Sequence, residues 1–347
     1  MSAASSSTWL SGLEDEARRI LPADVFRYVS QGSREGVSAA EATRAWGRFR
    51  LVPRAFADVR EIDLATTVLG ARATMPLGVA PTTFQRAIHP DGEVAMARGC
   101  RDGGVPLVLS SNAGASFEDV GAVGATWWLQ AYLTEDRSLM TPVLERAAAA
   151  GATAVVLTVD TPVVATKYDD GAIWASSPPD WVRANLGDAA DAPKARDLGP
   201  RDITALTELT GLPVVVKGIL HPDDAAAAVD AGAAAVWVSN HGGRQLDRAP
   251  ATAYCLGDVV EKISGAVPVY VDGGVRSGLD VLTALALGAD LCFLGRPPLY
   301  ALAQGGADGV RRLFETLGTE LTEALRLVGA DSPDTLSTRV QKPQIGP

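Results

Sequence analysis

The stretch "LPVVVKGILHPDDAAAAVDAGAAAVWVSN", residues 212–240, carries the fold in miniature. It opens on an apolar run, "LPVVVKG" (212–218), and closes on another, "AAVWVSN" (234–240). Both runs are continuous rather than alternating in polarity, which marks strands buried on both faces. Between them, "HPDDAAAAVDAGA" puts Pro222 in a first helical turn with acids beside it and Gly232 at the end, the start and stop signals of a helix. The unit reads strand–helix–strand.

The same grammar extends in both directions. Upstream lie "MPLGVA" (75–80), "VPLVLS" (105–110), "TWWLQAY" (126–132) and "TAVVLTVD" (153–160); downstream lie "VPVYVDG" (267–273) and "DLCFLG" (290–295). Eight strand–helix units over about 250 residues predict a (β/α)8 TIM barrel. The alternative, a doubly wound sheet, normally stops at about five or six strands. Two segments fall outside the repeat. Residues 9–66 read as a helical extension plus a strand-like "VFRYV" (25–29). Residues 163–200, after the fourth strand, have no period; their length and two tryptophans, Trp174 and Trp181, predict a lid loop.

Composition narrows the function classes. The formal net charge of −10, with no basic stripe, argues against a nucleic-acid partner. No apolar run approaches the roughly 20 residues of a membrane span. "MSAASSST" (1–8) lacks the basic and apolar regions of a secretory signal and reads as a disordered leader, with residues 9–347 as one domain. Three scattered cysteines, Cys100, Cys255 and Cys292, predict neither a disulfide framework nor a metal site, and point to the cytoplasm.

A barrel of this kind builds its site at the C-terminal ends of its strands. The first polar residues after the runs are Thr82, Ser110, Gln130, Tyr132, Thr158, Asp160, Lys217, His241, Arg244, Asp272, Arg276, Gly295 and Arg296. "VDGGVRSG" and "FLGRP" each join glycine to an arginine in the loops after strands seven and eight, the usual phosphate cradle of the fold. No G-x-G-x-x-G follows a strand, so a Rossmann nicotinamide site has no support. Lys217 ends an apolar strand; a Schiff base, a partner for negative charge and a structural ion pair all stay open for it. Of three histidines, His89 and His221 precede Pro-Asp at helix starts and read as turn and cap residues. His241 stands on a barrel-end loop and is the candidate base, with Asp160 to orient it and Arg244 to clamp a carboxylate. These residues alone describe an enzyme with a phosphate-bearing ligand and an anionic substrate.

"SNHGGRQLD" (239–247) resembles the signature of the FMN-dependent 2-hydroxy-acid oxidases and dehydrogenases, the family of glycolate oxidase, lactate oxidase and mandelate dehydrogenase. "LPADVFRYVSQGS", "APTTFQRAIHPDGE", "LSSN", "LQAY", "LTVDTP", "VVVKG", "VDGGVRSGLDVLTALALGA" and "FLGRP" match it in order. The resemblance implies an FMN cofactor. Thr82, Thr83, Ser110, Gln130, Thr158 and Lys217 would lie about its ring and ribityl chain, and Asp272, Gly274, Arg276, Gly295 and Arg296 about ribityl and phosphate. Tyr28, Tyr132, Lys167, His241 and Arg244 would surround the substrate. The implied reaction oxidises an (S)-2-hydroxy acid to the 2-oxo acid and passes electrons to O2, giving H2O2; a dehydrogenase serving a quinone or protein acceptor is the alternative. Hydride and carbanion routes both stay open. The family also implies a homo-oligomer, tetramer or octamer. This chain departs from the pattern at Lys167, where the family has arginine, and at Thr83, where its oxidases have alanine. Asn112 and Val164 imply a roomier pocket, suited to a mandelate-like or other bulky acid. An FMN-barrel isomerase and a non-catalytic flavin module are disfavoured by the intact set His241, Arg244 and Tyr132.

Overall fold

The computed structural model describes residues 3–168, 171–336 and 340–341. The eight apolar runs form eight strands: β1 (Leu77–Val79), β2 (Leu107–Ser110), β3 (Trp127–Ala131), β4 (Val155–Thr158), β5 (Val214–Ile219), β6 (Ala235–Val238), β7 (Val269–Asp272) and β8 (Leu291–Leu294). They pair in chain order, and β8 pairs in parallel with β1, so the sheet closes into the expected barrel. A closed sheet has no free edge, and its strands are buried toward both the helices outside and the interior. That double burial is why the runs are continuously apolar.

The barrel floor is aromatic. Trp128, Trp237, Tyr270 and Phe293 are all buried there, with Trp237 stacked on Phe293 at 3.8 Å between ring centroids. Gly78 on β1 leaves room for this plug, since a Cβ there would come within 2.6 Å of the Phe293 ring. Side chains two apart on a strand share a face. One step beyond the interior residues Val108, Trp128, Val156, Val215 and Tyr270 therefore stand Ser110, Gln130, Thr158, Lys217 and Asp272, and these polar residues line a cavity above the plug. The period of two thus turns an apolar floor into a polar mouth.

Three expectations need correction. Residues 3–8, read as disordered leader, belong to helix α1 (Ala3–Ser11). The stretch is anchored by its end: Leu10 is buried, and the Trp9 indole donates to the Gln304 side chain on the long C-terminal helix (Arg296–Val328). "VFRYV" is not a strand but the middle of helix α2 (Ala23–Ser30). Val25, Phe26 and Val29 bury one helical face, a spacing of one and four that a five-residue window does not separate from a strand. The lid segment, read as a loop without a period, contains short helices. It holds helix α3 (Gly171–Ser176) and two single-turn helices, and it buries Ile173, Val182, Leu186 and Ala195. The other two histidines behave as expected: the His221 ring accepts from Asp223 N at 3.1 Å, and the His89 ring from Asp91 N at 3.2 Å. Among the described residues no helix is long and apolar enough to cross a membrane.

Candidate active site

A cavity of about 310 Å³ opens at the C-terminal ends of the strands, where the fold predicts it. Every sequence-predicted site residue lines it except Asp160, which stands directly behind His241. The residues divide into three groups by the work their geometry permits.

The first group centres on His241. Its Nδ1 lies 2.9 Å from Asp160 Oδ1 and its Nε2 lies 3.5 Å from the Tyr132 hydroxyl. Burial raises the Asp160 carboxyl, but the facing imidazole, Lys217 and the Thr161 hydroxyl outweigh it and hold the group below the usual range. An ionised Asp160 accepts from Nδ1–H, which leaves Nε2 with its lone pair toward Tyr132. Burial and the Asp160 charge push the Tyr132 phenol well up, so it stays protonated and serves as a donor. His241 sits at φ 59°, followed by Gly242 and Gly243, also left-handed. A non-glycine residue held there costs about 1–3 kcal/mol. The His241 N–H to Ser239 Oγ bond (3.1 Å) and the Asn240 side chain, which accepts from Gly243 N at 3.2 Å, hold the turn.

The rest of "HGGRQLD" explains why so many groups share one loop. Arg244 Nη1 donates to the carbonyls of Tyr28 (2.6 Å) and Gln31 (3.1 Å) at the C-terminal end of α2, and its guanidinium lies over the Tyr28 ring. Cation and helix C-terminus attract, and the pairing delivers Tyr28 to the cavity. Gln245 binds the lid backbone, accepting from Ala165 N at 3.1 Å. Asp247 accepts from Gly36 N and Ser38 N, both at 3.0 Å, tying down the following N-terminal helix (Val37–Trp46). One turn fixes His241, Arg244, the lid and the N-terminal segment.

The second group is a buried polar network. Lys217 Nζ pairs with Asp272 Oδ2 at 2.9 Å and donates to Ser239 Oγ at 2.7 Å; Ser239 Oγ donates to Asp272 Oδ1 at 2.7 Å. Of the three roles open to Lys217, the ion pair is present, and one ammonium N–H remains for the cavity. Beside it, Gln130 Nε2 and Thr158 Oγ1 are buried without hydrogen-bond partners. Each such group costs about 1–3 kcal/mol, so the cavity wall is complementary to a ligand edge that carries both donors and acceptors.

The third group is cationic. Arg296 is half-buried and donates to the carbonyls of Val29, Gln31 and Gly242. Burial, then the neighbouring Arg276 charge, pushes it down to about 10. No described carboxylate lies within ion-pair distance of Arg244, Arg276 or Arg296. Gly274 turns at φ 82°, and a Cβ on Gly295 would enter open space. The C-terminal helix begins at Arg296 with no side-chain cap on its positive end. Half-buried arginines facing one another without a described acid suit an anion.

Sequence reasoning missed Lys194 and Trp174 as cavity residues and Thr161 as a neighbour of the imidazole. Thr83, expected at the cofactor, hydrogen-bonds the Tyr28 hydroxyl at 2.9 Å. Lys167 Nζ donates to Ala165 O within the lid.

Known proteins complete the picture. Residues 17–342 match the family model described as FMN-dependent dehydrogenase. The chain belongs to the FMN-dependent dehydrogenase family. It is 40% identical over 339 residues to 4-hydroxymandelate oxidase of Amycolatopsis orientalis, covering 93% of this chain and 95% of that protein. It is also 40% identical over 344 residues to human 2-hydroxyacid oxidase 1, covering 93% of each. Among solved structures, mandelate oxidase with benzoyl-formic acid superposes with a TM-score of 0.90 at 39% identity, covering 96% of this chain and 97% of that one. The cavity fits FMN on its own evidence. The unpartnered Gln130 and Thr158 suit a ring edge with donors and acceptors, and the Arg276–Arg296 end suits a phosphate.

Proposed function

We propose that this family member oxidises an (S)-2-hydroxy acid of mandelate-like bulk to the 2-oxo acid, with O2 as the final electron acceptor and H2O2 as the second product. The observation that carries the reading is the His241–Asp160 pair, presenting Nε2 to the same cavity as Arg244 and the arginine-rich end.

Bound FMN supplies a two-electron acceptor. Gln130, Thr158, Ser110 and Lys217 would hold its ring, the Lys217 charge favouring electron-rich forms; Arg276, Arg296, Gly274 and Gly295 would hold its phosphate. The chain's own residues do the rest. Arg244 keeps Nε and Nη2 for a bidentate grip on the substrate carboxylate, because only Nη1 is spent on backbone carbonyls. Tyr28, steadied by Thr83, and Tyr132 add hydroxyl donors. His241 takes the substrate's proton at Nε2, and Asp160 stabilises the imidazolium that results. Trp174, edge-on to Phe84 at 4.7 Å between centroids, lines the cavity from the lid side.

Arg244→Lys replaces a planar fork with a point charge. Its expected effect is a KM raised by about tenfold or more, read from steady-state kinetics. The test of the reading itself is anaerobic mixing of the FMN-loaded protein with a panel of 2-hydroxy acids, followed by air. Bleaching of the flavin band by mandelate-type acids, then colour recovery with one H2O2 per turnover, supports it. Bleaching without peroxide on aeration overturns the assignment of O2, and no bleaching overturns the substrate class.

A further inference from the structure

Lys194 is left over by this account. It lies in the lid segment, yet its backbone is fastened: Lys194 bridges Thr134, Ala195 N donates to Leu133 O at 2.8 Å, and Glu135 N donates to Pro193 O at 2.8 Å. Those partners immediately follow Tyr132 at the end of β3. The lysine therefore rises from a fixed point beside the reacting end of the cavity. Its ammonium stands 3.6 Å from the centroid of the Tyr132 ring, whose hydroxyl faces His241 Nε2, and its side chain lines the cavity wall.

No described carboxylate pairs with Lys194. The nearest acid in electrostatic reach, Asp160, is engaged by His241 and Thr161. Lys167, also on the cavity wall, repels it. Burial and that repulsion push Lys194 down to about 8. A desolvated ammonium without an acid is costly unless a ligand brings one. The substrate's 1-carboxylate is assigned to Arg244, so it does not supply the missing charge.

We propose that Lys194 is a specificity-determining residue that recognises a second carboxylate, carried on the side chain of the 2-hydroxy acid. The inference rests on the hydroxy-acid reading above and narrows its substrate class to acids with an anionic side chain. Asn112 and Val164 line the same cavity with short side chains, which leaves room for a substituent on the substrate.

Matched pairs test this: 2-hydroxyglutarate against 2-hydroxypentanoate, and 4-carboxymandelate against mandelate. Each pair differs in the distal carboxylate. The expected result is a kcat/KM for the acidic member of at least one pair about tenfold or more above its neutral partner. That ratio falls toward one in Lys194→Met and persists in Lys194→Arg, which retains the charge and also reports on folding. Equal kcat/KM values within both pairs in the unaltered protein overturn the proposal, and so does a preference that survives Lys194→Met. In either case the neutral acids still bleach the flavin, so the hydroxy-acid reading stands. If no member of either pair bleaches it, both fall together.

Discussion

His241→Ala is expected to keep bound FMN and to lose at least about 10²-fold in the rate of flavin reduction by substrate, the usual size of general-base catalysis. The cofactor should stay because none of the groups assigned to its ring or phosphate is removed. The rate should fall because no other described side chain offers an unprotonated nitrogen at this position. Tyr132 is held protonated by burial and by the Asp160 charge, and the remaining cavity nitrogens belong to cations or amides. The left-handed turn calls for a control. His241→Asn places a residue that tolerates φ near 60° at the same point. The two variants should agree in rate, whereas a loss confined to alanine would trace to the backbone. Anaerobic stopped-flow mixing reads the rate, and reduction at an undiminished rate in both variants would remove His241 from the role of base.

The second large effect concerns stability. Lys217→Met should destabilise the FMN-free protein by about 3–5 kcal/mol, because it strands a buried carboxylate. The two side chains are only 4% and 8% exposed, so water does not take over the lost contact. Ser239 still donates to Asp272 Oδ1 but carries no charge to offset it. Replacing both members, as Lys217→Met with Asp272→Leu, should recover much of the loss, since an apolar pair leaves no uncompensated charge. Urea unfolding midpoints report both changes. A shift below about 1 kcal/mol in the single variant would mean that the ion pair is not what holds this network.

Much of this was legible in the chain, for identifiable reasons. A barrel strand is buried on both faces, so Val155–Thr158 or Leu291–Leu294 reads as an unbroken apolar run, and eight such runs leave few topologies. The step of two from Trp128 to Gln130, or from Tyr270 to Asp272, is a property of every strand, which is why the cavity wall could be named from the first polar residue after each run. What failed depends on partners far away in sequence. α1 is fixed at its end by Gln304, and α2 is a helix because Val25, Phe26 and Val29 bury against the core. Lys194 owes its place to a short pairing with the chain beyond β3, about which the lysine's own neighbourhood carries no signal. The Lys217–Asp272 pair spans β5 to β7 across Ser239, a relation set by barrel register rather than by either local motif. Lys217 was recognised as needing a partner, but the register that supplies one appears only once the sheet is closed.

The central claim is that the strand tips and the Arg276–Arg296 end together would hold one FMN in the cavity that His241 lines. Titration of FMN into cofactor-free protein by calorimetry tests it most directly, in the unaltered chain and in Arg276→Met. The account predicts one FMN per chain and a Kd raised by about tenfold or more in the variant. Absence of binding to the unaltered chain, or an unchanged Kd in Arg276→Met, would contradict it.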